Sequence, residues 1–541
     1  MTNLFKRLVE KRGFSEQFLN PKYEECLDPF LLPDMDKAVG RIKSAVDNKE
    51  KVLVYGDYDA DGVTATTLMV DALRSAGIKD IEIVLPNRFS DGYGMNKSVV
   101  LKASKAGVKL VVTVDCGSGN AEVIEELKKK GIDTIVTDHH ECPEELKGAV
   151  AFVNPKRSKK IDKNFRDLAG VGVAFKLAQA LTEKGMIKKG QEKWLLDLVL
   201  IGTICDSMKM TEENRRLCYY GMKVLKKTRR VGLKELMKVC KAKRVDSELI
   251  GFRIGPRLNA SGRMADAEKS LSLLMEENSA NSAKIALELN DLNSERRKQQ
   301  DNAIKDIQSR EVFDDRKVII VKGKWHEGIL GIVAGKLMET IKKPVIVLTE
   351  KKDELKGSGR SFGEFNLAEA LEFCKKEIIS GGGHSAACGV RVLPEKLEAF
   401  DKKINKFYDS LNLRDQERFL EKKEDLEVND FSEFSREFVQ ELNELEPFSE
   451  GNEEPVFLLK KAFLVNVRKV GKEGEHLSLR VRDKKGNTIK LVAFYAPEEW
   501  MSFSEGEKAD IWVSVMENDW EGRKSVEGRI LKMRLVEEEI F

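Results

Sequence analysis

The sequence predicts an α/β protein: two α/β lobes joined by a long helix, then a small C-terminal β-barrel. Three observations predict it. Short apolar runs alternate with polar helical segments over residues 46–275 and again over 313–412. A charged stretch of helical spacing, without Gly or Pro from Asn278 to Val312, separates these regions. Residues 455–541 turn to closely spaced runs of alternating hydrophobicity.

Residues 1–45 read as a helical lead. The first strand follows in KVLVYGDYDADGVTATTLM, Lys51 to Met69, where an apolar run meets Asp57, Asp59 and Asp61 just ahead of a Gly-Val helix start. KLVVTVDCG stops at Asp115, and DTIVTDHH stops at Asp138, His139 and His140. Runs rich in Val, Ile and Thr, separated by helical segments, are consecutive strands of a parallel sheet. Such strands present their carboxyl ends on one edge, where doubly wound sheets bind ligands.

Acidic groups this dense repel one another unless a positive charge lies between them, and a divalent cation is the usual answer. Any single Asp alternatively reads as a turn former or helix cap. Asp61, directly before Gly62, fits the cap role, and a loop histidine needs no function. The chain has only five His, however, and an adjacent pair follows a strand and an Asp. Oxygen and imidazole donors suit Mn²⁺ or Mg²⁺, and no thiolates cluster as zinc ribbons or iron–sulfur centres require.

Between the lobes, Ile285, Leu289, Leu292, Ile304 and Ile307 recur near helical spacing, giving a connecting helix over 276–312. RKVIIVKGKW and KPVIVLTE bracket a helix in the second lobe, 313–412, which also carries GSGRS (Gly357–Ser361) and GGGHSAACG (Gly381–Gly389). The second of these is a glycine-rich turn whose amides can cradle an anion, with His384 beside Gly382 and Gly383; glycines also serve tight turns. His326, ahead of a buried helical run, fits a cap. An active site between two such lobes is a slot that admits one strand and excludes duplex. Residues 413–454 read as an acidic helical linker. AFLVNVRKV, HLSLRVRD, TIKLVAFY and KADIWVSV, with turns at KKGN and ENDWEGRK, then form the barrel.

With 541 residues and 41% hydrophobic content, several cored domains are expected. No window approaches 18 continuous apolar residues, which argues against a membrane span. The start lacks a signal-peptide core, and eight cysteines without CxxC spacing fit reduced thiols; a cytoplasmic location is expected. The net charge of +3 hides segregation, because acids crowd Glu417–Glu454 while Arg and Lys mark the motif loops. Nucleic acid would then bind in a local basic groove and weaken as salt rises.

GDYDADG, TVDCG and TDHH, in this order, resemble the DHH phosphoesterase superfamily, whose members hold two Mn²⁺ or Mg²⁺ ions. PNRFSDGYG (Pro86–Gly94), LAGVGVAFKLAQAL (Leu168–Leu181), GPRLNASGRM (Gly255–Met264), GSGRS and GGGHSAACG make the chain similar, over nearly its whole length, to the RecJ family of single-strand-specific 5′→3′ DNA exonucleases. The resemblance implies lobes of DHH and DHHA1 type and an oligonucleotide-binding (OB) barrel, in which Tyr495, Trp512 or Trp520 can stack on bases, although barrel aromatics are more often core. It implies that Asp57 and Asp115 hold one metal and that Asp59, Asp115, His139 and Asp206 hold the other, with Asp115 bridging. Ser207, Met208 and Lys209 depart from the apolar, proline-containing stretch that usually follows this last Asp. Two cations roughly 3.5–4 Å apart activate a shared water and clamp the attacked phosphate, so in-line hydrolysis is expected.

By the same resemblance, His140 touches the phosphate or assists the leaving oxygen, and Asp138 orients the histidines. Arg88, Ser358 and Arg360 form a 5′-phosphate pocket, where a planar guanidinium engages two oxygens. Tyr93 stacks on a base or wedges against duplex, while Arg257 and Arg263, flanking LNASG, bind backbone phosphates near the metals. Arg88 and Tyr93 alternatively read as a surface charge and a packed aromatic. The expected activity releases 5′ mononucleotides from single-stranded DNA in repair and recombination, by a monomer, with single-strand-binding protein and a helicase as partners. Three other readings compete: a phosphoesterase of short RNA or dinucleotides, a pyrophosphatase, and a metal-free replication scaffold. Leu53 stands where the pyrophosphatase branch has a His, and every ligand that the scaffold reading would lack is present.

Overall fold

The computed structural model describes all residues except 91–93, 211, 311–315, 412, 414–422, 521 and 537–541. In the first lobe, β1 (Val52–Tyr55), β2 (Ile81–Val84), β3 (Leu110–Val114), β4 (Asp133–Thr137) and β5 (Ala151–Val153) form a wholly parallel sheet in the order β2-β1-β3-β4-β5. Every residue of β1 and β3 is buried, as helices on both faces require. Successive side chains point to opposite faces: Val52, Val54, Leu110 and Val112 join one core, Leu53, Tyr55 and Val111 the other. The first core also takes the helices Ala60–Ser75, Gly170–Glu183 and Leu196–Cys205.

The connecting helix is Ser279–Arg310, about 48 Å long at 1.5 Å per residue. Ala286 and Leu289 belong to the first lobe's core, Ala303 and Ile307 to the second's, so one rigid element is shared by both lobes. The second lobe carries β6 (Ile319–Gly323), β7 (Val345–Glu350), β8 (Leu355–Arg360), β9 (Ser380–Gly383) and β10 (Ala387–Val392) in the order β6-β7-β8-β10-β9, with only β6 and β7 parallel.

The last sheet comprises β11 (Leu426–Val428), β12 (Phe457–Val470), β13 (His476–Arg482), β14 (Thr488–Ala493), β15 (Lys508–Trp520) and β16 (Arg523–Leu535). Strands run β12-β13-β14-β16-β15, and β15 pairs back with β12 to close a five-stranded barrel with β11 alongside. The stretch read as an acidic linker, 413–454, supplies more than a connection. Its β11 and helix Arg436–Glu444 place Val428, Phe431, Phe434, Phe438 and Leu442 in the barrel core. Apolar residues at helical spacing decide this packing, and the surrounding acids stay on the outer face. The N-terminal lead divides likewise, since Leu4, Phe5 and Leu8 of helix Asn3–Arg12 pack in the barrel while helix Met35–Asp47 joins the first lobe. Among the described residues no helix is long and apolar enough to cross a membrane.

One buried guanidinium joins barrel and first lobe. Arg215 donates to the carbonyls of Phe18 (3.0 Å), Glu444 (2.8 Å), Leu445 (3.2 Å) and Glu446. The last three lie at the end of helix Arg436–Glu444, where carbonyls lack intrahelical partners and a cation is favoured. Burial lowers the Arg215 pKa to about 10, so it remains charged at neutral pH. Arg215→Ala leaves these buried acceptors unpaired, and at about 1–3 kcal/mol per unsatisfied group we expect a loss of at least about 3 kcal/mol. Urea unfolding followed by tryptophan fluorescence measures it.

Candidate metal centre and strand-end pocket

The metal loop is shaped by contacts that sequence spacing does not show. Asp59, rather than Asp61, caps the helix Ala60–Ser75: its Oδ1 accepts from Gly62 N at 3.0 Å. Asp61 instead reaches a different helix, accepting from Gly170 N (2.7 Å) and Val171 N (3.0 Å) at the start of Gly170–Glu183. The expectation of a cap at Asp61 is corrected in its address, because an acceptor satisfies free amides at any helix N-terminus within reach. Ala60 N donates to Asn259 Oδ1 at 2.9 Å, which ties the loop to helix Gly255–Met264.

Glycines let the carboxylates approach. A Cβ on Gly170 would lie 2.4 Å from Asp115 Oδ1, and one on Gly202 would lie 2.6 Å from Asp61 Oδ1. Asp115 itself adopts a left-handed φ of 60°, a conformation that costs a non-glycine residue and clusters at functional sites. Asp138 accepts from Ser118 N (3.0 Å), His139 N (2.7 Å), His140 N (3.2 Å) and His140 Nδ1 (2.8 Å). It therefore holds the His140 ring and, of His139, the backbone. Asp206 terminates helix Leu196–Cys205, and Ser207 after it turns left-handed at φ 54°.

The five residues expected as ligands gather. His139 Nε2 lies 3.2 Å from Asp115 Oδ1, 3.6 Å from Asp206 Oδ2 and 3.9 Å from Asp61 Oδ2. Donor atoms fall into three groups, Asp57–Asp59–Asp115, Asp61–His139–Asp206 and Asp115–His139–His140, each within 4.8 Å. Asp59 thus stands with Asp57, whereas the expected division placed it with His139 and Asp206. Its capping bond to Gly62 holds it there.

Burial, then mutual repulsion, raises Asp57 and Asp115 well above the usual carboxylate range, Asp61 to about 7 and Asp206 to about 8. Burial lowers His139 to about 3, keeping it neutral as a ligand must be. For His140, burial acts downward, but the hydrogen bond and charge of Asp138 win and raise it. Among the described residues, Asp57 Oδ1 and Asp115 Oδ1 are buried and accept no hydrogen bond. Desolvated oxygens without donors fit divalent cations.

Facing this acidic centre is a basic one. Arg360 Nη1 donates to Ser358 Oγ (3.3 Å) and Gly359 O (2.8 Å), while Ser358 Oγ donates to Cys388 O (3.1 Å). A Cβ on Gly331, in the first turn of helix Leu330–Ile341, would lie 3.1 Å from Arg360 Nη2. The Arg88 guanidinium sits 5.3 Å from the Tyr58 ring. Burial and then the Arg88 charge push Arg263 down to about 10, with Arg360 adding further repulsion. Among the described residues none of the three arginines pairs with a carboxylate.

The lobes touch at this point. Phe89 packs edge-on against His326 with centroids 5.5 Å apart, and His326 caps its turn by accepting from Gly328 N at 3.2 Å. A Cβ on Gly328 would lie 1.8 Å from Arg263 O. Gly389 of β10 is in register with both Ser358 and Gly382, which sets exposed Gly382 and Gly383 on the same sheet as the pocket, with exposed His384 directly after β9. Arg257 does not join it: Nη2 donates to Asn290 Oδ1 (3.0 Å) and Nη1 to Arg253 O (2.7 Å), so this residue fastens the long helix. Helical phase turns it away from Arg263, six residues on. Tyr93 lies outside the described residues. In the barrel Tyr495 is exposed, but Trp512 is buried and donates to Glu424 Oε2 at 2.9 Å; the Trp520 side chain is outside the described set. The roles of Asp61, Asn259 and Gly170 escaped the sequence reading, although the glycines of LAGVG hinted at a close approach.

Compared with known proteins, the chain matches the DHH family N-terminal domain over residues 51–203, the DHHA1 domain over 315–410 and the RecJ OB domain over 425–532. The single-stranded-DNA-specific exonuclease RecJ of Bacillus subtilis is 35% identical over 554 residues, spanning 100% of this chain and 69% of that one. The chain belongs to the RecJ family. RecJ of Escherichia coli is 35% identical over 428 residues, 74% of each chain. The crystal structure of Thermus thermophilus RecJ in complex with Mn²⁺ aligns with a TM-score of 0.84 at 27% identity, covering 98% of this chain and 76% of that one. The resemblance and the fold class read from the motifs, including the OB barrel, are borne out.

Two substitutions test the centre's construction. Gly170→Ala drives a methyl group into Asp115, and overpacking of about 1–3 kcal/mol should weaken Mn²⁺ binding at least about 10-fold. Asp61→Asn, which turns a donor toward two amides, should do the same. Calorimetric titration with Mn²⁺ reads both; wild-type affinity in either would show that the glycine and the aspartate do not shape the centre.

Proposed function

We infer that this RecJ-family chain is a metal-dependent exonuclease that degrades single-stranded DNA from the 5′ end to 5′ mononucleotides, in DNA repair and recombination. The observation that carries this reading is the juxtaposition, across the lobe contact, of a buried acidic centre with arginines that no carboxylate neutralises. An anionic strand end fits between them.

Asp57, Asp59, Asp115, His139 and Asp206 would hold two divalent cations, Mn²⁺ or Mg²⁺, as the donor chemistry supports. Such ions, when bound, lower the pKa of water and neutralise charge on a phosphodiester under attack. The chain's own groups do the rest. Asp138 keeps a proton on His140, whose raised pKa favours the charged form that binds a phosphate oxygen or supplies a proton to the leaving one. Arg88 and Arg360 grip the terminal 5′ phosphate with Ser358, so a strand is measured from its end. Arg263, which feels the charges of Arg88, Asp59 and Arg360, binds the next phosphate. Tyr93, in the same PNRFSDGYG segment as Arg88, stacks on a base or wedges against duplex, and Gly382, Gly383 and His384 line the strand. Single-strand-binding protein and a helicase present suitable strands, and the working unit is a cytoplasmic monomer, since one chain supplies both walls of the slot.

Asp115→Ala should abolish digestion of 5′-phosphorylated single strands, with activity at least about 10³-fold lower, as should chelation. Arg360→Ala should raise KM for 5′-phosphorylated ends about 10- to 100-fold, the worth of a charged hydrogen bond, and erase their advantage over 5′-hydroxyl ends. Time courses on strands labelled at either end measure all three. Release of the 3′ label first, or digestion that persists in chelator, would refute the reading.

A further inference from the structure

Phe252 is 72% exposed. A lone exposed ring needs no explanation, but this one stands in unusual surroundings. It lies on a single turn of π-helix, Leu249–Ile254, that leads into helix Gly255–Met264. Such turns concentrate at functional sites. The turn is held firmly, since a Cβ on Gly255 would lie 2.4 Å from Cys205 Sγ, one residue before Asp206.

Two cavities meet at Phe252. One is a groove of about 580 Å³ that starts beside the metal loop at Asn259 and Arg263 and runs past Arg296, Arg297 and Lys336, between the connecting helix and the second lobe. The other, about 460 Å³, lies between the first lobe and the barrel and is acidic, lined by Glu248, Glu446, Glu450, Glu453 and Glu454, the last paired with Arg529 of the barrel; it repels phosphates and so marks where the basic groove ends. Arg263, Arg296 and Arg297 pair with no carboxylate among the described residues. The first groove, where Arg263, Arg296, Arg297 and Lys336 outnumber Asp301 and which ends at the exposed ring, matches the chemistry of single-stranded nucleic acid: phosphates follow the cations, and a base stacks on the ring whatever its identity.

We propose that Phe252 is a stacking post, on which a base downstream of the scissile phosphate rests where the strand leaves the basic groove. The inference rests on the exonuclease reading. After each mononucleotide leaves, the strand must advance by one residue without dissociating. A stacked base holds it meanwhile, and an exchangeable stack allows the next base to take the same place. Phe252 is thereby a positioning residue that sets processivity.

The test compares wild type, Phe252→Ala and Phe252→Trp on 5′-phosphorylated single strands from two to twenty nucleotides. Phe252→Ala should lose affinity for the longest strands about 10-fold, within the range of one base stack, and its kcat/KM relative to wild type should fall as the strand lengthens. Its run length under a competitor trap should shorten, and Phe252→Trp should restore both. A 2-aminopurine base placed along the strand, read in chelator, reports stacking without cleavage: wild type should quench it at one position and Phe252→Ala should not. Equal quenching by wild type and Phe252→Ala, or a kcat/KM defect independent of strand length, would overturn the proposal. A wild type that quenches but does not cleave would sink the exonuclease reading and leave the post standing.

Discussion

Electrostatic repulsion within a buried acidic centre is the constraint to which much of the first lobe responds. Asp57, Asp61, Asp115 and Asp138 are each at most 3% exposed, and four carboxylates cannot share so little water without compensation. The compensation differs from one to the next. Asp138 takes four donors, and Asp61 takes two amides at a helix start. Asp57 and Asp115 keep an oxygen free of donors, and those oxygens define where a cation belongs. Gly170 is then a glycine because the Asp115 carboxylate is packed too closely for a methyl group, as are Asp61, Thr64 and Val171 at Gly202 and the Asp57 main chain at Gly62.

The connecting helix turns that centre into a slot. Because its two halves lie in different cores, the lobes are held at a set separation, and the second lobe contributes Ser358 and Arg360. Gly328 against the Arg263 carbonyl brings the walls together at one end. Arg215 plays a comparable part for the barrel, joining the N-terminal lead, the first lobe and the helix Arg436–Glu444 through one guanidinium.

Much of the site was legible because parallel β-strands place residues distant in sequence on one edge. Asp57, Asp59, Asp115 and His139 needed only the apolar runs before them to be located, and Asp206 needed the motif order. The connecting helix was legible from its spacing, and the barrel from period-two alternation. What escaped were contacts between elements. Asp59 and Asp61 both precede a helix in sequence, and only packing reveals which of them caps it. Arg257 and Arg263 flank the same LNASG motif, yet one fastens the long helix and the other lines the slot. Charge misled at 413–454, where an acidic composition surrounds Phe431, Phe434 and Phe438 of the barrel core.

The sequence by itself determined the residue types of the metal centre, the parallel sheet that carries them and the family, because alternation of apolar runs with acidic loop ends is a local property. Tertiary structure alone decided which oxygens remain free, which arginines go unpaired and where Phe252 stands. Those depend on the relative placement of helices whose contacts join groups hundreds of positions apart, as the Arg215 side chain with the Glu444 carbonyl shows, and no local pattern encodes such distances.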